Sequence, residues 1–278
     1  MLNGMMSDGQ ARDQFLKDGY LVVPDVVPVA LCQAVIDAIL GYTRVNLHDP
    51  ATWHWQKDPG QGGGHGIVPL HHHQALWNVR QHPAVYEVFR DLYERDDLWV
   101  TMDRVSYKPP AAARRPDWCR EPVHWDCDPW SFDDLSIQGL VYLTDTDETQ
   151  GAFSCVPSIY RDLDNYRAAN VAAESRRHPD VSDNDLKAIT GTAGSLVLFH
   201  RLLPHTSRLN ESAQHRFVQY VAMQPVGTEA DRQQRIREWR ERLPPAWAIR
   251  QKIAGQQIPE PGEPARLTEL GKRLVGIR

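Results

Sequence analysis

"GSLVLFHRLLPHTSRLNESAQHRFVQYVAM", residues 194–223, is the stretch that decides the fold. Two apolar runs, 194–200 and 216–223, are each too short for a helix and are separated by turn-forming Pro, Ser and Asn. Such runs read as strands of an antiparallel sandwich or barrel. The texture recurs upstream in "LWVTMDRVSY" (98–107), "PVHW" (122–125), "SIQGLVYLTD" (136–145) and "GAFSCVP" (151–157), all punctuated by Pro, Gly and Asp. Residues from about Leu98 to Met223 are therefore expected to be mainly β. The run 158–189 interrupts them as a mostly helical or irregular insertion.

Helices are expected on either side of the strands. Phe15, Leu16 and Tyr20 mark a short helix before the strand "YLVVP", and Leu31, Val35, Ile36, Ile39 and Leu40 mark an amphipathic one. Val85, Val88, Phe89 and Leu92 mark a third within 82–95. "EADRQQRIREWRERL" (229–243) reads as a charged helix with Ile236, Trp239 and Leu243 docked on the core. Between them, "TWHWQKDPGQGGGHGIVPLHHHQALW" (52–77) has neither period and reads as a long functional loop.

Composition narrows the function classes. The 278 residues suffice for a sizeable core, and 41% hydrophobic with 24% charged residues is an ordinary globular balance. The net charge of −5 disfavours nucleic acid. It is unevenly spread: from Glu229 onward 11 Lys/Arg stand against 7 Asp/Glu, which leaves −9 for residues 1–228. No run approaches the roughly 20 apolar residues of a membrane span, and "MLNGMMSDGQ" lacks a signal-peptide pattern. A cytoplasmic protein with no membrane partner is expected. Cys32, Cys119, Cys127 and Cys155 form no C-x-x-C pair, so no zinc knuckle or disulfide framework is suggested.

The chemistry is carried by "HWDCDPW" (124–130). On an extended segment the side chains of His124 and Asp126 project to one face. The partner sought is a distant histidine, and 194–223 offers His200, His205 and His215. His205 is favoured because it lies in a Pro-His-Thr-Ser turn after an apolar strand, where a side chain can point into a barrel mouth. Two histidines and one carboxylate on one face of an octahedron leave open positions, as in non-haem Fe(II) oxygenases. Arg216, at the start of "RFVQYVAM", can take the far carboxylate of a chelating dicarboxylate with its planar fork. Ser207 adds a hydroxyl donor.

With these residues in place, the chain resembles the phytanoyl-CoA dioxygenase family of Fe(II)/2-oxoglutarate oxygenases, which includes ectoine hydroxylases. The resemblance rests on "HWD", on "GLVYLTDTDETQGAFSCVPSIYR" (139–161) and on "GTAGSLVLFHRLLPHTSRLNESAQHRFVQYVAM" (191–223), with "VPSIYR" in place of the family's "VPGSH". It covers residues 10–225 of what reads as one domain, 1–278, and leaves 229–278 as a helical tail. It implies a double-stranded β-helix, a cupin-like jelly roll with flanking helices. It also implies Fe(II), 2-oxoglutarate and O2, with 2-oxoglutarate converted to succinate and CO2 as an unactivated C–H is hydroxylated. Desaturation or demethylation is an alternative outcome.

The resemblance assigns His124, Asp126 and His205 to iron, and Arg216 with Ser207 to the 2-oxoglutarate C5 carboxylate. It places Tyr142 against the co-substrate and Trp130 near the active site. Ser106 and Lys108 alternate onto one face of a strand bordering the pocket, with Lys108 the next candidate to hold the co-substrate. His72, favoured among His71, His72 and His73, and Trp77 are expected to line the substrate channel. Trp125 should point away from the metal and Cys127 face the core. Asp128 reads as a solvated turn residue or an acceptor behind the ligands.

The substrate is expected to be a small free metabolite, not a CoA thioester, because residues 1–228 are acidic. Trp53, Trp55 and Trp77 suit a compact, cationic body. Homodimerisation is left open. Two rivals share the ligand set: a zinc hydrolase, which has no use for Arg216, and a non-catalytic cupin-like binding protein, which would have lost a ligand. Asp126 argues against the halogenating branch, where a small residue admits chloride.

Overall fold

The computed structural model describes residues 8–55, 66–113, 120–170, 177–250, 252 and 258–277. Its strands are β1 Tyr20–Val23, β2 Ile67–Val68, β3 Leu98–Val100, β4 Val105–Lys108, β5 Ile137–Tyr142, β6 Phe153–Cys155, β7 Lys187–Ile189, β8 Leu196–His200, β9 His205–Ser207, β10 Arg216–Tyr220 and β11 Met223–Pro225. The helices are α1 Asp8–Asp18, α2 Val29–Thr43, α3 Gln74–Arg80, α4 Pro83–Tyr93, α5 Pro157–Arg161, α6 Leu163–Ala169, α7 Glu229–Glu241, α8 Ala246–Arg250 and α9 Glu269–Val275.

One sheet runs β1-β8-β5-β10-β4-β2 and a second runs β7-β6-β9, with β11 and β3 pairing alone. Every pairing is antiparallel. The two larger sheets face each other across a dry layer in which Leu140, Tyr142, Val197, Phe199 and Val218 meet Phe153, Cys155 and Ile189. Phe153 and Phe199 bring ring centroids to 4.5 Å across it. This is a jelly roll, mainly β with helices outside.

Strand alternation explains the layers. In β5, Gln138, Leu140 and Tyr142 face inward, while Ile137 and Val141 join the outer core beneath the helices. In β10, Val218 faces inward and Phe217 outward, where it stacks on Tyr107 at 5.0 Å. With both faces covered, the strands lose the polar alternation of a half-exposed sheet and read as continuous apolar runs. The outer core takes Val85, Val88, Phe89 and Leu92 of α4 and the buried residues of α2, as their helical spacing requires. Ile236 and Trp239 of α7 pack against the same core, as expected for a docked tail.

Four local expectations are corrected. The interval 52–77 contains β2 and most of α3, whose start His73 caps by accepting from the Ala75 amide at 3.2 Å. The insertion 158–189 ends in a strand, β7, paired with β6. "PVHW" supplies only a bridge residue, His124. His205 opens strand β9 rather than lying in a turn: the apolar strand ends at His200, and 201–204 make the reversal. No helix among the described residues is long and apolar enough to cross a membrane.

Candidate active site

His124 and His205 face each other as an antiparallel bridge, each amide donating to the other's carbonyl at 3.0 Å. A single backbone pairing thus joins the "HWD" segment to β9 and puts both imidazoles beside Asp126. Nε2 of His124 is 3.7 Å from one Asp126 carboxylate oxygen, and Nε2 of His205 is 3.7 Å from the other. Among the described residues this is the group of three or more His, Cys, Asp or Glu that could hold a metal, with ligand atoms within 4.8 Å of one another. Of the three candidate histidines, only His205 joins it. The His200 Nδ1 accepts from the Leu202 amide at 3.0 Å, and the His215 Nδ1 is paired with the Tyr107 hydroxyl at 3.1 Å.

The surroundings fix the ligand atoms. Nδ1 of His124 donates to the Pro122 carbonyl at 2.9 Å, and Nδ1 of His205 to the Leu203 carbonyl at 3.0 Å. A carbonyl can only accept, so Nδ1 carries the hydrogen and Nε2 presents a lone pair to the centre, the tautomer a metal requires. Gln138 Nε2 donates to Asp126 Oδ2 at 2.8 Å, and Arg201 clasps the Asp126 carbonyl at 2.8 and 3.1 Å. Desolvation opposes ionisation of Asp126, yet His205, His124, Gln138 and Arg201 together hold its carboxyl below the usual range. Burial lowers His205, which keeps it neutral. These donors fit an iron ion.

Deeper on the inner face stands a cationic pair. Arg216 of β10 and Lys108 of β4 are directly opposed, and Ser106 is opposed to Val218 one step along. Arg216 is only 1% exposed. It donates from Nη1 to Ser106 Oγ at 3.3 Å and stands 5.8 Å from the centre of the Tyr142 ring. Its Nε is buried without an acceptor among the described residues. Lys108 Nζ donates to Ser207 Oγ at 2.7 Å and to the Arg208 carbonyl. Burial, reinforced by Arg216, pushes the Lys108 ammonium well below the usual lysine range. Two glycines with positive φ flank its stem. A Cβ on Gly66 would lie 2.8 Å from Lys108 Cγ, and one on Gly151 3.2 Å from Cδ, so larger residues would crowd this path.

The sequence profile of the family described as Phytanoyl-CoA dioxygenase (PhyH) matches residues 15–218. The chain belongs to the phytanoyl-CoA dioxygenase family. A Dictyostelium discoideum protein carrying the phytanoyl-CoA dioxygenase name is 23% identical over 262 residues, covering 77% of this chain and 74% of its own length. The fold is shared with the epimerase SnoN of nogalamycin biosynthesis, solved with Fe3+, alpha ketoglutarate and nogalamycin RO (TM-score 0.56, 13% identity, 94% of this chain and 95% of that one). It is shared too with EvdO2 from Micromonospora carbonacea var. aurantiaca, solved with 2-oxoglutarate (TM-score 0.53, 17% identity, 82% and 96%). Family membership and the His-Asp-His group make this a 2-oxoglutarate-dependent non-haem iron oxygenase, using iron, 2-oxoglutarate and O2. The zinc-hydrolase and non-catalytic readings fall with that assignment.

The remaining expected site residues are placed variously. Tyr142 is fully buried. Its hydroxyl donates to the Ile189 carbonyl at 2.6 Å, and burial pushes it up to about 12. Trp130 is half-buried, bonded through Nε1 to the Arg167 carbonyl at 3.1 Å and packed against Tyr166. Trp125 is fully buried and donates to the Leu202 carbonyl at 2.8 Å. Cys127 is half-buried against the Arg201 carbonyl, and Cys119 lies outside the described residues. Asp128 caps its own turn by accepting from the Trp130 amide at 3.0 Å.

His72 and Trp77 are both buried on the outer side. His72 Nε2 donates to the Leu243 carbonyl at 2.7 Å, which ties its loop to the tail. Trp77 carries the guanidinium of Arg80 over its ring at 5.1 Å, so a cation of the protein itself covers that face. Trp53 packs edge-on against His215, and Trp55 against Tyr42.

Sequence reading missed Gln138 and Arg201. Gln138 left a signal, a polar residue at an inward position of an otherwise apolar strand. Arg201 left none, because its role follows from where the chain reverses after β8.

Proposed function

We propose that this enzyme hydroxylates an unactivated C–H of a small metabolite while converting 2-oxoglutarate to succinate and CO2. His124, Asp126 and His205 would hold the iron. Arg216, Lys108 and Ser207 would hold the far carboxylate of 2-oxoglutarate, with Tyr142 walling that end. The single observation that carries this reading is the buried Arg216–Lys108 pair, which has no carboxylate in ion-pair contact among the described residues. Two adjacent buried cations are costly unless an anion joins them. A dicarboxylate spanning from the metal to this pair relieves both.

Iron with bound 2-oxoglutarate supplies the oxidising chemistry when O2 arrives. The chain's part is arrangement. The carbonyls of Pro122 and Leu203 keep the ligating histidines in one tautomer, and Gln138 aims the Asp126 carboxylate. Arg216 and Lys108 fix the co-substrate at its inner end, walled by Tyr142 and Val218. The substrate then has to approach from the opposite side, past Tyr220 and Trp130. Residues 1–278 are taken as one catalytic unit.

Two experiments test this. Anaerobic protein given Fe(II) and then 2-oxoglutarate should develop a weak visible charge-transfer band that the His205→Ala variant lacks. A screen of small metabolites should find one that raises succinate formation under air. Turnover supported by zinc and not by iron would overturn the reading.

A further inference from the structure

The inner face that holds Ser106 and Lys108 continues one step outward to Arg104, and the Tyr220 amide extends the ladder by donating to the Arg104 carbonyl at 3.1 Å. Arg104 and Tyr220 thus lie beyond Ser106 and Val218, on the side away from the anion pocket. The Arg104 guanidinium stands 5.8 Å from the centre of the Tyr220 ring and 4.7 Å from that of Trp247 in α8. Tyr220 and Trp247 both fall outside residues 15–218, the segment the family profile covers. A tryptophan of the tail therefore packs against Arg104 at this end of the sheet.

The guanidinium is held but poorly paired. Its carboxylate partner among the described residues is the adjacent Asp103, with Nη1–Oδ1 at 3.5 Å, and that oxygen already accepts the Arg104 amide at 2.8 Å. The Arg104 Nε is buried with no acceptor among the described residues, yet 22% of the side chain remains exposed. An arginine clamped by two aromatic rings, with donor edges left open, is preorganised for a planar oxyanion. Tyr220 lies two same-face steps along β10 from Arg216, opposite Leu140, so it stands between the co-substrate pocket and this outer cation.

We propose that Arg104, clasped by Tyr220 and Trp247, anchors an oxyanion of the substrate, so that the enzyme takes an organic acid whose apolar body reaches inward to the metal. This rests on the oxygenase reading above and sets the substrate's charge opposite to the one the tryptophan-rich loop suggests. Carboxylate and phosphate monoester share the recognising chemistry.

The test uses the full chain loaded with Mn(II) and N-oxalylglycine, an inert isostere of 2-oxoglutarate, so that added acids cannot occupy the Arg216 pocket. Uptake of these two is measured first by calorimetry on the wild type, and its failure would count against the oxygenase reading, not against Arg104. Hexanoate, hexyl phosphate, hexanamide and hexyltrimethylammonium are then titrated with tryptophan fluorescence as the signal. One or both anions should bind, and whichever binds more tightly identifies the substrate's group. Arg104→Gln should weaken the anions by about 10- to 100-fold, the range for losing a charge-assisted hydrogen bond, and leave hexanamide unmoved. Arg104→Lys should recover part of the loss, and Trp247→Leu should weaken the anions without removing a charge. Urea unfolding confirms that each variant is folded. Anion binding that is absent from the wild type, equal in Arg104→Gln, or no tighter than that of the amide or the ammonium overturns the proposal.

Discussion

Removing the Arg216 guanidinium while keeping its volume, as in Arg216→Met, separates co-substrate binding from metal binding. Arg216 is 1% exposed, so its interaction with a carboxylate is shielded from solvent. Truncating one partner of a buried charge pair costs about 2–5 kcal/mol. The lower part of that range applies here because Lys108 stays in place opposite it. Once Arg216 no longer repels it, the Lys108 ammonium is also held in its charged form more firmly. A loss of about 2–3 kcal/mol corresponds to a dissociation constant for 2-oxoglutarate raised roughly 30- to 150-fold. The assay is an anaerobic titration of 2-oxoglutarate into Fe(II)-loaded protein, followed by the visible band, with iron affinity measured separately against a chelator. Iron affinity should stay within a few-fold of wild type, since the candidate ligand atoms lie outside β10. Lys108→Met should behave similarly, and the double variant should lose less than the sum, because both cations grip one carboxylate. A 2-oxoglutarate requirement within about threefold of wild type in Arg216→Met would refute the assignment of the pocket.

Three further outcomes are expected. His124→Ala, Asp126→Ala and His205→Ala should each abolish tight Fe(II) binding in anaerobic dialysis while unfolding at nearly the wild-type urea midpoint, since the apolar layer between the sheets does not include them. Gln138→Leu should weaken iron by about 10- to 100-fold, the usual effect of losing a residue that orients a ligand, with the fold retained. The metal-free protein should lose stability as pH falls below about 6.5. Burial holds His72 down to about 3 and His200 down to about 4, and places His71 well below 6.5. The unfolded chain therefore binds protons that the folded one refuses, at roughly 1.4 kcal/mol per pH unit for each histidine. Glu260, its carboxyl raised by burial, opposes this with a single slope over its own range. Urea midpoints that stay level between pH 7 and pH 5 would show that these rings are not buried neutral.

The strands and the metal group were legible because each depends on local spacing. A two-residue period puts His124 and Asp126 on one face wherever the segment is extended, and "RFVQYVAM" can only be a strand in a chain so interrupted by turns. Arg216 was readable for the same reason, at the head of that strand. What escaped depends on pairing across the fold. That Lys108 opposes Arg216 is a matter of register between β4 and β10, and no period along either segment reports it. The loop 52–77 misled because its Trp and His residues look like a binding surface. Trp77 is instead a core residue beneath Arg80, and His73 is a helix cap. Aromatic composition alone does not distinguish a lining from a packed interior.

The tail shows how far such pairings reach. Glu260 accepts from the amides of His71 and His72, and Arg242 donates to the His72 carbonyl while pairing with Glu260 at 3.2 Å. The contacts to His71 and His72 join residues separated by some 170–189 positions, bind the histidine loop to the tail, and explain why His72 is buried. Two basic residues of α7 are engaged away from the metal group. Arg235 lies over Trp99 and donates to the carbonyls of Val100 and Leu274, and Arg237 pairs with Glu241 on the surface. Arg235 and Arg237 therefore add no free charge to a rim beside the metal group. Beside Arg104 the tail contributes an aromatic ring, Trp247, and the cation it covers belongs to the β4 side of the core. Loosening the Glu260–Arg242 clasp should free the histidine loop, read as faster hydrogen exchange at the His71 and His72 amides that Glu260 accepts.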